Sequence, residues 1–341
     1  MTSQWRYLST RMRALVAGLH PTPAEREAAF AAADRVAAVM GRGLANPGSS
    51  RGCSGQHRVI GGFAKGTALA GGSAVDVLVV LPDRLRPDGG RTAPGGTIAA
   101  GAAPMLDLIT AAATILAPRF GNVGVSRDGW LTVTPHAQTA SCLVAVRVLP
   151  VFACAAGGYL AALPWARNGA SPWRLMDPDA ERRAVLDANA ASGGTAGDLI
   201  LMLKLWRRHL SVPIPSFAIE LLAIEFLRVW IYRRQSAFFY DWLVRDFFFW
   251  LALQADRQLV IPGSHETLAL GHAWVDAAED AYLTASQGAD LERDNEDSGA
   301  SACWRRIFGP ADPLLAGPGA ALISRGLDRR QGRGAFSGVA I

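Results

Sequence analysis

The sequence predicts an α+β chain, a small mixed sheet with helices in its first half and a helical domain after it. Three observations point there. A short apolar strand, residues 74 to 81, follows a glycine-rich turn. A hairpin signal at Asp128-Gly129 and a further β run, Ser141 to Leu149, come before residue 150. From Asp177 onward, apolar residues recur at helical spacing. The expected division is a first domain over 1–176, a helical domain over 177–315, and a flexible basic tail over 316–341 carrying SRGLDRRQGRG.

In chain order, residues 1 to 20 read as a short helix, with Trp5, Leu8, Met12, Leu15 and Val16 near helical spacing. Thr22, Pro23 and Glu25 form a helix start: a hydroxyl cap, proline at the first position, and a glutamate able to reach back to the cap amide. An alanine-rich helix follows to about residue 44, then a Gly/Ser-rich loop, Asn46 to Gln56, and the approach Arg58 to Ile60. In strand 74–81 side chains alternate, so Val75, Val77, Val79 and Leu81 share one face and Ala74, Asp76, Leu78 and Val80 the other. Asp76 is expected to stand alone on the face opposite the core.

Residues 82 to 104 mix proline, glycine and alanine, with PDGG and APGG, and read as a flexible excursion within the first domain. A helix from Met105 to Leu116 comes next, then a hairpin of Val123–Ser126 with Trp130–Thr134, then the Ser141–Leu149 strand closed by Pro150. Helices are expected near 178–190, 195–210, 215–232, 237–253 and 265–286. Asp290 to Gly299 reads as a charged loop, and Ala300 to Phe308 as a last short helix ending at Gly309-Pro310.

Composition sets bounds. With 341 residues, 50% hydrophobic and 18% charged, the chain can bury a large core, which excludes general disorder. A net charge of +5 suits an anionic partner without selecting among nucleotide, nucleic acid and acidic membrane. Cys53, Cys142, Cys154 and Cys303 show no CxxC spacing, and the six histidines no HxxxH or HxH, so free thiols, a reducing cytoplasm and no zinc site are expected. Glu220, Glu225, Arg228, Arg233, Arg234, Asp241, Arg245 and Asp246 interrupt the most apolar stretch, Phe217 to Leu253. No run there approaches the roughly 18–20 apolar residues of a membrane span, so buried helices are expected and membrane insertion is not.

The stretch GGFAKGTALAGGSAVDVLVV, 61 to 80, carries the chemistry. Gly61, Gly62 and Gly66 allow close backbone approach or positive φ, and Lys65 and Thr67 add a cation and a hydroxyl, which together suit a phosphate. The plain alternative is a tight connection that holds no ligand.

This stretch, with Val59 and Ile60 before it, resembles the turn and strand of polymerase β-type nucleotidyltransferases, in particular the bacterial cGAS/DncV-like enzymes (CD-NTases) and oligoadenylate synthases. Three more segments resemble that family in order and spacing: CLVAVRVLPVF at 142–152, LMLKLWRRHL and PSFAIELL at 201–210 and 215–222, and ACWRRIFGP at 302–310. The resemblance covers roughly residues 5 to 315. It implies a nucleotidyltransferase core with a helical domain, Mg²⁺ as cofactor, nucleoside triphosphates as ligands, and triphosphate contacts at Lys204 and Ser216 as well as at the glycine turn. An exposed helical lysine and a helix cap account for Lys204 and Ser216 equally well. Family enzymes hold their metals with two acids at i and i+2 of one strand and a third on a neighbouring strand.

Here only Asp76 of those acids remains. Ala74 stands at the first position and Arg147 at the third, and a cation there repels the ion that a carboxylate would hold. A guanidinium beside a vacated strand face calls for a partner, so an Arg147–Asp76 ion pair is expected. Three functions follow as expectations. The first is a nucleoside triphosphate-binding CD-NTase-like protein with crippled catalysis, a sensor or regulatory partner in bacterial antiphage defence. The second is an active enzyme making cyclic or linear oligonucleotide messengers through a rearranged metal site. The third is a non-enzymatic module for nucleic acid or a regulatory protein, with Arg207, Arg208, Arg233 and Arg234 as its basic surface. Trp206, Trp274 and Trp304 are expected in the core.

Overall fold

The computed structural model describes residues 4–45, 56–86, 102–121, 123–134, 144–162, 173–235, 237–264 and 266–310. Most of the Asn46–Gln56 loop, most of the 82–104 excursion, Cys53, Cys142 and the tail lie outside them. Helix α1 spans Gln4–Leu19 and α2 Pro23–Ala45. The capping box forms as the sequence expects: Thr22 N donates to Glu25 Oε2 at 2.7 Å and Glu25 N to Thr22 Oγ1 at 3.2 Å. Small residues Ala29, Ala33 and Ala37, with Val36 and Met40, form the buried stripe of α2, which packs on the sheet.

Among the described residues the main sheet has seven strands. β1 (His57–Ile60) pairs antiparallel with β2 (Val75–Leu81), and β2 runs parallel to β5 (Val146–Ala153). β4 (Leu131–Val133) and β3 (Val123–Val125) continue outward from β5 as the expected hairpin. β6 (Tyr159–Ala162) and β7 (Trp173–Met176), neither foreseen in the sequence, extend from the other end of β5. The helix α3 (Gly61–Lys65) joins β1 to the loop before β2, so the glycine turn is in fact a single helical turn. The helix α4 runs Ala102–Phe120, longer than its apolar spacing indicated.

Pro150 lies inside β5 and does not close it. Val75 N donates to Ala145 O, so by strand alternation the backbone of residues 145, 147 and 149 faces β2 and the nitrogen of Pro150 faces the other edge. There β4 has ended, its register stopping at Val148, and β6 begins at Val151. A residue without an N–H costs no ladder bond at that gap.

Val75, Val77, Val79 and Leu81 face the core shared with α2 and α4. The opposite face is not bare as expected: Leu78 is fully buried in a second, smaller core with Ile60, Trp130, Leu149, Val151 and Ala161. Asp76 sits two residues before Leu78 on that face.

The second half is built from α5 (Pro178–Ala191), α6 (Thr195–His209), α7 (Ser216–Val229) and α8 (Tyr240–Ala252), followed by α9 (Val275–Arg293) and α10 (Asp297–Phe308). Asp177 caps α5, its Oδ1 accepting from Ala180 N at 2.9 Å. Two expectations are corrected here. The segment before residue 275 holds a hairpin, β8 (Gln258–Val260) with β9 (Thr267–Ala269), whose second strand lies where the helix from 265 was expected to begin. The supposed charged loop from Asp290 is helical to Arg293, because Glu292 turns inward to Arg11 and to Trp304 Nε1. Trp206, Trp274 and Trp304 are buried, as anticipated. Helix α1 joins this core through Met12, Leu15, Val16 and Leu19. Among the described residues no helix is long and apolar enough to cross a membrane.

Candidate functional site

The site is assembled where β1, α3, β2 and β5 meet the N-terminal parts of α5 and α7 and the middle of α6. β2 and β5 are in a register that sets Asp76 directly opposite Arg147. Arg147 Nε lies 3.1 Å from Asp76 Oδ1, the ion pair expected from the sequence. The pair is close but poorly aimed, for Oδ1 is buried and makes no directed hydrogen bond among the described residues. The guanidinium also stacks on Trp130, 4.8 Å from the ring centroid. Its side chain is 43% exposed, against 22% for Asp76. Burial pushes the Asp76 carboxyl above the usual carboxylate range, against the pull of Arg147, Lys204 and Lys65.

Gly61 is fixed by this carboxylate. Its φ is +64°, and a Cβ there would stand 2.4 Å from Asp76 Oδ2. At Gly62 the constraint is packing, a Cβ meeting Ala68 N and Cα at 3.1 Å. The Gly62 carbonyl accepts from Thr67 N at 2.8 Å and Ala68 N at 3.0 Å, which folds the chain back toward β2.

Beneath the strand pair lies a closed polar cluster. Lys65 Nζ reaches Glu181 Oε2 of α5 and Glu220 Oε2 of α7, each at 2.9 Å, and sits 4.5 Å over the Phe217 ring. Lys204 Nζ of α6 donates to Thr67 O at 3.0 Å, Thr67 Oγ1 at 2.9 Å and Glu220 Oε1 at 2.5 Å. Thr67 Oγ1 in turn donates to Glu220 Oε1 at 2.8 Å. Burial alone would raise the Glu220 carboxyl; Lys204 and Lys65 overcome it and hold the group down at about 2. Burial lowers Lys204, while for Lys65 the two carboxylates outweigh burial and raise it.

The structure thus brings Gly61, Gly62, Lys65, Thr67, Lys204 and Asp76 together, with both ammonium groups turned onto internal acceptors. Ser216 is the half-buried first residue of α7, next to Phe217. Ala74 immediately precedes β2. A pocket of about 170 Å³ adjoins α3, lined in part by Arg58, Gly61, Lys65 and Arg182. Side by side, Arg147, Lys65 and Lys204 balance Asp76, Glu181 and Glu220 in charge. Sequence reasoning missed Glu181 entirely and noted Glu220 only as a charge interrupting an apolar stretch. A signal for its burial was present: one acid amid the apolar run Phe217–Ile224, which calls for a counter-charge.

These residues do not fit a two-metal centre. Among the described residues no cluster of three His, Cys, Asp or Glu side chains is placed to hold a metal ion. The strand carboxylate Asp76 already faces a guanidinium. The basic pairs proposed as a nucleic-acid surface are turned to backbone carbonyls: Arg207 to Ile214, Arg208 to Ala70, Arg233 to Arg228 and Arg234 to Ala191.

No protein-family model and no curated protein matches the chain. Solved structures do. It is similar to Vibrio cholerae DncV in its apo form, with 14% identity and a TM-score of 0.63 over 91% of this chain and 97% of that one. It is similar to CdnC of E. coli MS115-1 with ATP, at 18% identity and a TM-score of 0.58, covering 89% of this chain and 98% of that one. A third likeness is the STING-associated CdnE c-di-GMP synthase of Capnocytophaga granulosa, at 11% identity and a TM-score of 0.52, over 86% and 84% of the two chains. From the parallel β2–β5 pair outward to the helical half, the chain has the CD-NTase fold, a polymerase β-like nucleotidyltransferase core followed by helices.

Proposed function

We propose that this chain is a CD-NTase-like protein that binds nucleoside triphosphates without carrying out two-metal nucleotidyl transfer, and that it serves bacterial antiphage signalling as a sensor or regulatory partner. The observation that carries this reading is the Asp76–Arg147 pair, set in register on adjacent strands. A guanidinium at that place excludes a divalent cation by repulsion and occupies the only strand carboxylate among the described residues. Nucleotide binding is supported by the glycine turn beside Asp76 and by the likeness to a CdnC structure that contains ATP. Gly61, Gly62 and Ser216 would line the ligand, and Lys65, Thr67 and Lys204 would hold the turn against α6 and α7. Mg²⁺ enters only as the counter-ion that accompanies the nucleotide.

The test is a paired measurement on the full chain. A rise in melting temperature with ATP or GTP reports binding, since a ligand selective for the folded state stabilises it by RT ln(1 + [L]/Kd). Incubation with labelled triphosphates and Mg²⁺ or Mn²⁺ is expected to leave them unconverted. Oligonucleotide product that Asp76→Ala removes would overturn the reading in favour of an active enzyme.

A further inference from the structure

We infer that Arg147 is the cation that receives the triphosphate in this chain, so that nucleotide binding is independent of divalent metal. The inference rests on the nucleotide-binding reading above and deepens it. It begins from which cations in the site are already engaged. Lys65 is buried against two carboxylates and an aromatic face. Lys204 spends its donors on Thr67 and Glu220. Extracting either would leave Glu220 buried beside a single ammonium, which an uncompensated buried charge opposes.

Arg147 is in the opposite condition. It is the most exposed of the three cations. Among the described residues its ion pair is with Asp76, approached through Nε, and the Oδ1 it faces makes no directed hydrogen bond. Trp130 supports the plane of the guanidinium from one side, which orients the group without using its N–H donors. Such a fork matches two phosphate oxygens at once and brings its own positive charge, so it needs no metal to neutralise the ligand. The placement is also apt. Arg147 stands opposite Asp76, whose Oδ2 fills the space beside Gly61, so the guanidinium is next to the turn that suits a phosphate.

The sign of the magnesium effect separates this from a metal-bridged mode. In a two-metal site, Mg²⁺ strengthens triphosphate binding. Where a guanidinium is the receptor, Mg²⁺ chelated by the phosphates competes with it and leaves affinity unchanged or weaker. Isothermal titration of ATP into the full chain, in excess EDTA and separately in millimolar Mg²⁺, measures this directly. Equal or tighter binding in EDTA is expected, with Arg147→Ala weakening it roughly ten- to a hundredfold, the range of a lost charge-assisted contact. Arg147→Lys is expected to recover only part of the loss. Melting curves of both variants establish that they are folded. ATP binding that appears only with Mg²⁺, or that survives Arg147→Ala unchanged, overturns the inference and leaves the nucleotide-binding reading standing. No ATP binding in either buffer overturns that reading itself.

Discussion

Lys65 and Glu220 are 155 positions apart in the chain and 2.9 Å apart at Nζ and Oε2. With Lys204 on the other oxygen of the same carboxylate, this contact ties the glycine turn of the sheet half to α6 and α7 of the helical half. Removing the shared acid leaves Lys204 buried without its carboxylate partner and Lys65 with Glu181 alone. Glu220→Ala is expected to destabilise the chain by about 3–5 kcal/mol, read by urea unfolding. Glu220→Leu combined with Lys204→Met and Lys65→Met is expected to cost less than Glu220→Ala alone. A larger cost for the triple variant would argue that the cluster is net stabilising.

The pH response follows from two carboxyls shifted in opposite directions. Glu220 titrates in the folded chain at about 2 instead of 4.5, so its contribution is complete above pH 4.5 and is lost as pH falls toward 2. That is on the order of 3 kcal/mol for a fully buried group. Asp241 is pushed up to about 6 from 3.8 by burial, so the folded state holds a proton there that the unfolded state does not. Stability should therefore rise as pH falls from about 6 to about 4, and drop below that. Asp241→Asn should flatten the rise and stabilise the chain at pH 7 by about 1–3 kcal/mol, measured by chemical denaturation across the range.

Gly61→Ala meets two obstacles that a double-mutant cycle can separate. The φ of +64° costs a non-glycine residue about 1–2 kcal/mol. The new methyl, 2.4 Å from Asp76 Oδ2, adds a clash that must displace the carboxylate from Arg147. In an Asp76→Ala background the clash vanishes and the backbone strain stays. The cost of Gly61→Ala should fall to the strain alone; an unchanged cost would show that Asp76 already yields freely.

Ala74→Asp together with Arg147→Asp rebuilds three acids on adjacent strands. The native chain should show no Mn²⁺-dependent rise in melting temperature, whereas the double variant should. A Mn²⁺ response in the native chain that Asp76→Ala abolishes would count against the arrangement described for this site.

The fold was legible wherever a local rule operates at full strength. The capping box at Thr22 and Glu25, the Asp128-Gly129 hairpin and the alternation of β2 are each settled by neighbours in sequence. β6 and β7 were not legible, because YLAA and WRLM are too short to show alternation and depend on pairing with β5 and with each other. The run from Asp290 misled because charge was taken as exposure, while Glu292 is turned inward to Arg11 and Trp304. At the site, family resemblance aligned Ala74 and Asp76 with Arg147, 71 positions further along the chain from Asp76, and so anticipated the ion pair. It did not reveal that Lys65 and Lys204 share one acid. That depends on α3, α6 and α7 converging, a tertiary fact with no local signature.

Helix α1 packs its apolar stripe not on its neighbour α2 but into the helical half, and Arg11 reaches Glu292, 281 positions further on. During synthesis that stripe emerges long before α6 to α9 exist to cover it. Met12, Leu15, Val16 and Leu19 must wait, solvent-exposed or chaperone-held, while the sheet half forms. The chain therefore closes on itself late, and a truncation that removes α6 to α9 would strand its first helix without a surface to bury.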